Sequence, residues 1–345
     1  MTDHGTTDHG AAERDTPERG THDRGTHDRG GVAADPSPLF PPRAASPFSS
    51  QRAALAGVVA IPVTPFDEAG NVDRATYRAL LRRLLDGGVT VVTPNGNTGE
   101  FYALSPEERL LVTELTVAEA AGGAAVLAGV GHDLHTAVTS ARHARDAGAS
   151  MIMIHQPVHP YVSQEGWVDY HRAIADAVPG LGVVPYVRNP QLEGRTLARL
   201  GALCPNVVGV KYAVPDAARF AAFARDAGLD RFVWVAGLAE LYAPAYWAAG
   251  ATGFTSGLVN VAPDLSIALL TALRAADYPG AMRIWERIRP FEELRAARQS
   301  ADNVSVVKEA LAVLGLCRRE VRPPSRTLPG DVRAEVAALV RGWSL

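Results

Sequence analysis

Val207-Val208-Gly209-Val210-Lys211-Tyr212-Ala213 reads as a buried strand with one lysine set into it. The β-branched apolar run has the composition of a strand covered on both faces. An ammonium in such a place costs several kcal/mol unless it is paired or neutralised. An amine whose pKa burial pulls toward about 7 to 8 becomes a nucleophile able to form Schiff bases. The plainer reading is a lysine at a strand end whose charged head reaches out to water. The seven residues alone leave both open, and the surrounding chain has to decide.

On either side of this stretch, short apolar β-type runs alternate with helix-length amphipathic segments. The runs are 57–66, 89–96, 124–131, 150–157, 182–187, 207–213, 231–237 and 252–257, eight in all. Helical patterns fill the gaps, for example 73–86, 105–121, 134–147 and 164–178, and Ser105 with Glu108 forms a capping box. Eight strands spaced about 25 to 35 residues apart, each followed by a helix, predict an α/β fold of the (β/α)8 TIM-barrel type. A doubly wound open sheet is the rival; it would be expected to carry a phosphate-binding GxGxxG, and neither that motif nor GxxxxGK[ST] is present. Beyond Ala276 no further strand pattern appears. Residues 280–297, 302–314 and 330–342 read as a C-terminal helical extension, with Pro323, Pro324 and Pro329 interrupting it. The expected organisation is therefore a disordered tail over 1–50, a barrel over 51–276 and a helical extension over 277–345.

The tail differs in composition from the rest. It repeats TDHG and THDRG and then becomes rich in Pro and Ser, with too few apolar residues to offset the entropy of ordering it. Its histidines lack a fixed geometry for a metal. No charged stretch followed by an apolar one marks it as a secretory signal. Over the full 345 residues, 47% hydrophobic content is enough for a large core, and a net charge of -3 without basic runs argues against a nucleic-acid partner. No apolar stretch is long enough to suggest a membrane span. The two cysteines, Cys204 and Cys317, form no disulfide framework or CxxC site, which fits a reducing, cytoplasmic setting.

In barrels of this kind the chemistry sits at the C-terminal ends of the strands. The residues there are Thr64, the turn Gly96-Asn97-Thr98-Gly99-Glu100, Tyr186, Lys211, Gly237 and Thr255-Ser256-Gly257. Lys211 and Tyr186 end consecutive strands, which supplies an amine and a proton shuttle side by side. Tyr186 also reads as a core aromatic with a satisfied hydroxyl. The turn at 96–100 offers backbone N–H groups and a hydroxyl to a carboxylate, and Glu100 stabilises it or supports the residues that touch substrate. Arg188 reads as a surface residue or, in preference, as a fork for a distal carboxylate. His155 and His159 are four apart, but Pro157 and Pro160 forbid the helix that would make them joint metal ligands, so no metal is expected. His132, His135, His143 and His171 read as loop or surface residues.

Several of these motifs together resemble the dihydrodipicolinate synthase and N-acetylneuraminate lyase superfamily of Schiff-base aldolases, over about residues 55–342. They are VTPF at 63–66, GNTGEFYALSPEER at 96–109, SQEGWVDYH at 163–171, Tyr186, GVK at 209–211 and GFTSGLVNVAP at 253–263. The resemblance implies that Lys211 forms an imine with a 2-keto acid, that Tyr186 relays protons and that Asn97 and Thr98 hold the substrate carboxylate. It implies no cofactor and a homo-oligomer, a tetramer or dimer. The chain departs from the synthase pattern at Val158 and His159, where the synthase has a tyrosine pair. Asn97 also replaces a threonine, and YVRNPQL replaces YNVP. The segments GEFYALS, PYVRN, CPNVVGVK and VRPPSRTL are more similar to the 5-dehydro-4-deoxyglucarate dehydratase branch. A dehydratase acting on a keto-sugar diacid, with Tyr186 and Thr98 or Ser256 moving protons, is thus expected ahead of an aldolase or a condensing synthase. A barrel that binds a keto acid without turning it over has little use for a buried amine.

Overall fold

A computed structural model describes residues 47–343. The tail expected over 1–50 lies outside the described residues as far as residue 46. Its last residues do not: Phe48 is buried, and Ser49–Leu55 is a helix, α1.

All eight expected runs form strands, in one closed parallel barrel. They are β1 (Val58–Ala60), β2 (Val91–Val92), β3 (Ala125–Val130), β4 (Met151–Ile154), β5 (Gly182–Val187), β6 (Gly209–Tyr212), β7 (Val233–Ala236) and β8 (Gly253–Ser256). β1 closes the barrel by pairing with both β2 and β8. Several strands are shorter than their apolar runs, because the C-terminal parts of those runs leave the ladder to build the loops of the barrel mouth.

Each strand is followed by a helix: α2 (Arg74–Asp86), α3 (Pro106–Ala120), α4 (Leu134–Ala147), α5 (Gln164–Ala177), α6 (Gly194–Leu203), α7 (Ala217–Ala227), α8 (Ala239–Ala248) and α9 (Pro263–Arg274). Side chains such as Asp73, Asp133, Ser163 and Asp216 accept a hydrogen bond from the first turn of the helix they precede. α3 carries the full capping box expected from Ser105 and Glu108. The extension consists of α10 (Tyr278–Ser300), α11 (Asn303–Val313) and α12 (Gly330–Gly342). Near its end α10 departs from helical geometry, and Arg298, Gln299 and Ser300 take left-handed φ values of 51°, 57° and 66°.

Strand residues alternate between two cores. Val210, Tyr212, Val183 and Val187 point out to the helices, where Tyr212 meets Phe220, Phe223 and Tyr246. Val59, Val91, Leu127, Met151, Met153, Val184, Val233 and Val235 point inward and fill the bore. α1 seals the N-terminal end of the bore with Leu55, which belongs to the inward cluster, while Arg52 donates to the carbonyls of Val208 and Arg231. Gly253 makes this seal possible: a Cβ there would stand 2.2 Å from the carbonyl oxygen of Leu55. The same alternation turns Tyr186 and Lys211 inward above the filled layers, directly paired across β5 and β6. No helix among the described residues is long and apolar enough to cross a membrane.

Candidate active site

The barrel mouth holds a cavity of about 490 Å³ whose lining includes Lys211, Tyr186, Asn97, Thr98 and Arg188. Lys211 is 3% exposed. Its ammonium stands 4.4 Å from the centre of the Tyr186 ring, and no carboxylate among the described residues pairs with it. Burial, helped by the positive charge of Arg188, pulls its pKa down from 10.5 to about 7. Near neutral pH a large share of the amine is therefore uncharged, the form of a lysine that is nucleophilic.

Tyr186 differs in sign. Burial raises its phenol above the ordinary value, against opposing effects of Arg188 and of the hydrogen bond from Asn97, so it stays protonated as a donor. That hydrogen bond runs 3.4 Å from Asn97 Nδ2 to the phenol oxygen. The ring is fixed from the side by His155, whose own ring stacks on Phe101 at 4.0 Å and meets Tyr186 edge-on. His155 is fully buried with Nε2 2.8 Å from the carbonyl of Asn95, and burial pushes it down to about 3. It is thus a neutral packing element. His159 lies exposed in a local contact with Tyr161. His171, expected on the surface, is instead buried in α5 against Trp167, with its pKa lowered to about 4 by burial. The i,i+4 spacing from Trp167 puts it on the inner face of that helix.

The turn at 96–100 is held from two directions. Thr64 donates to the carbonyl of Gly99 at 2.8 Å. Glu100, in a left-handed conformation, accepts from Lys308 Nζ at 2.5 Å and from the backbone N–H of Arg322 at 2.8 Å. Glu100 thus stabilises the turn, as its position suggested, through two partners from the C-terminal extension.

Ser256 stands apart from the other expected site residues. It is fully buried, and its hydroxyl is bonded to Glu240, to Ser266 and to the N–H of Val259. Thr255 and Gly257 line the cavity, whereas Ser256 does not. Alternation along β8 turns its side chain toward α8 and α9, and Glu240 and Ser266 hold it there. Thr98 and the exposed Arg188 do line the cavity, as does Asn97.

The sequence reading missed a wall of the cavity. Glu292, Arg295, Gln299 and Asn303 from α10 and α11 line it, and so does Tyr102 from the loop after β2. Burial, together with Tyr186, raises Tyr102 to about 12, opposed by Arg188. Arg295 bonds Glu292 at 2.5 Å, an i,i+3 pair that was available as a signal, although nothing local to it points to the barrel mouth. Nearby, burial and the charge of Glu292 push Glu240 up to about 7, with Arg295 and the two serine hydroxyls opposing.

A family model described as Dihydrodipicolinate synthetase family matches residues 54–342. A relative in Rhizobium rhizogenes named as a probable 5-dehydro-4-deoxyglucarate dehydratase is 33% identical over 299 residues, covering 86% of this chain and 98% of its own length. A 4-hydroxy-tetrahydrodipicolinate synthase of Rhodopseudomonas palustris is 36% identical over 267 residues, 76% of this chain and 88% of that one. The crystal structure of dihydrodipicolinate synthase from Bacillus clausii superposes with a TM-score of 0.82 at 40% identity, covering 86% of this chain and all of the other. Matched by the family model over residues 54–342 and by these relatives over most of its length, the chain belongs to the dihydrodipicolinate synthetase family.

Proposed function

We propose that the protein is a class I lyase that binds a 2-keto acid as an imine on Lys211 and dehydrates a keto-sugar diacid of the 5-dehydro-4-deoxyglucarate type, with decarboxylation. The observation that carries this reading is the buried, unpaired amine of Lys211 beside a protonated Tyr186 in one cavity. Dehydratase-named relatives at 33% identity support the choice of reaction.

The neutral amine adds to the keto carbon, and the carbinolamine loses water to give the imine. A proton leaves the neighbouring methylene to form an enamine. The enamine expels the hydroxyl on the next carbon, which takes a proton from Tyr186 and departs as water. Electrons from the bond to the distal carboxylate then flow into the conjugated iminium as carbon dioxide leaves. Reprotonation and hydrolysis free Lys211 and a five-carbon keto semialdehyde, so one diacid gives one semialdehyde, one carbon dioxide and one water. With Ser256 committed to Glu240, Tyr186 and Thr98 are the proton carriers of this scheme, and Arg188 holds the distal carboxylate until it leaves.

The second reading is an aldolase or condensing synthase, favoured by the relative and the solved structure named as synthases. Against it, Val158 and His159 stand where a synthase supplies tyrosines to the relay. A keto-acid-binding barrel without turnover leaves the cost of an unpaired buried amine unexplained. A cytoplasmic homo-oligomer, dimer or tetramer, completes the proposal. Purified protein incubated with the keto-diacid should release carbon dioxide and semialdehyde in equal amounts. Pyruvate release without carbon dioxide would replace the dehydratase with the lyase.

A further inference from the structure

Two donors at the rim of the cavity are uncommitted. Tyr102 is 47% exposed whereas Tyr186 is buried, so the Tyr102 phenol belongs to the outer part of the mouth and Tyr186 to the floor beside Lys211. Among the described residues the Tyr102 hydroxyl has no hydrogen-bond partner and the Arg188 guanidinium has no acceptor. The carboxylates in the cavity wall, Glu100 and Glu292, are already committed to Lys308 and Arg295.

The Tyr102 ring is held in place. Phe101, His132 and His155 meet it edge-on, with ring centres 4.9, 5.5 and 5.5 Å away. A Cβ on Gly131 would stand 3.0 Å from the Cβ of His155 and 3.4 Å from the Phe101 ring, so glycine there gives this cluster its room. His132 and His155 follow β3 and β4, which places the Tyr102 ring over the ends of those strands, and Tyr186 of β5 meets the same His155. The positive charge of Arg188 lowers the pKa of Tyr102, of Tyr186 and of Lys211, against larger effects of burial on the two phenols. One guanidinium is thus within electrostatic reach of the amine and of both phenols, in a single cavity. With its pKa pushed up to about 12, the Tyr102 hydroxyl keeps its proton and is a donor.

We propose that Tyr102 shares the distal carboxylate with Arg188 and makes the site selective for a keto diacid over a keto monoacid. A carboxylate has lone pairs for a guanidinium and a phenol O–H at once. A methyl group in its place strips both donors of water and returns no acceptor, which is how a polar site rejects an analogue that lacks the polar group. This deepens the reading above and rests on it, taking Lys211 as the anchor of the keto group and Arg188 as the residue at the distal end.

The test compares borohydride trapping of 2-oxoadipate with that of 2-oxohexanoate, which keeps the chain length and the keto acid end and carries a methyl group in place of the distal carboxylate. The diacid should half-saturate the wild type at a concentration about 10- to 100-fold lower than the monoacid, the range expected for hydrogen bonds to a charged group. Tyr102→Phe removes one oxygen and keeps the ring contacts. In it, half-saturating 2-oxoadipate should rise about tenfold with the 2-oxohexanoate curve unchanged, which also shows that the variant is folded. Arg188→Gln should lower the same preference; if it does so and Tyr102→Phe does not, the distal role of Arg188 stands and that of Tyr102 falls. A wild type that takes both acids equally, or a Tyr102→Phe variant that shifts both curves alike, would overturn the proposal. If the wild type traps neither acid, the imine reading fails by itself. Calorimetric binding of the two acids, which needs no imine, then decides: a diacid-selective loss in Tyr102→Phe supports the role of Tyr102, and no preference for the diacid, or none lost in the variant, removes it.

Discussion

Two lysines in this chain follow almost the same string of residues, VVGVK at 207–211 and VSVVK at 304–308. Both side chains are buried, one in β6 and the other in α11. Lys308 donates to Glu100 at 2.5 Å and to the carbonyl of Glu320 at 2.8 Å, and its ammonium lies over the Phe66 ring. Burial lowers its pKa and Glu100 opposes that fall, whereas nothing opposes it at Lys211. The lysine with a carboxylate becomes a brace between the extension and the turn at 96–100. The lysine without one keeps a depressed pKa and, near neutral pH, a free lone pair. Burial alone does not make an amine reactive; burial without a counterion does.

The sharpest attempt to break this contrast is Lys211→Met. It should lower turnover by at least about a thousandfold, since the covalent step disappears, and abolish the borohydride adduct; an adduct mapped to the Lys308 peptide would reverse the assignments. The same variant should be more stable. Between its folded pKa of about 7 and the ordinary 10.5, the unfolded chain binds a proton at Lys211 that the folded chain does not. The lysine's contribution to stability therefore rises with pH across that window, being least favourable at and below pH 7. Denaturant titrations should show the methionine variant ahead by on the order of 3 to 5 kcal/mol at pH 7, the gap closing toward pH 10.5. A constant gap would mean that packing, not protonation, is responsible.

At the other lysine the sign inverts. Glu100→Gln leaves the Lys308 ammonium buried with only neutral partners and should cost about 3 to 5 kcal/mol, while Glu100→Gln/Lys308→Met recovers most of it. Urea melts of the three proteins measure this, and a harmless single variant would show the pair to be dispensable. The smallest expected effect belongs to Tyr186→Phe, which should cut kcat by about 100-fold and leave the half-saturating keto acid for trapping nearly unchanged. Turnover at the wild-type rate would reduce the ring to a support for Lys211.

The barrel was legible because each strand is covered on both faces, so apolar runs mark all eight with little interference from surface composition. Lys211 and Tyr186 were legible for the converse reason, as polar groups interrupting those runs. Ser256 was not, because a one-residue difference in facing decides whether a strand-end hydroxyl meets the cavity or the helices, and the turn after β8 hides the register. Arg295 and Asn303 lie outside the repeat altogether, and their nearness to Thr98 depends on how α10 and α11 fold back across the mouth. α1 went unread because Phe48 and Leu55 are two apolar residues bordering a segment rich in Pro and Ser, and their value comes only from the opening they fill.

That filled opening governs traffic. With α1 and Leu55 beneath the bore and packed side chains above them, whatever reaches Lys211 arrives through the mouth and departs by the same door. A product lingering there occupies the place of the next substrate, so the released product is expected to act as a competitive inhibitor, raising KM and leaving kcat alone. Initial-rate measurements at several product concentrations would show it. In such a vessel, substrate and product share one passage.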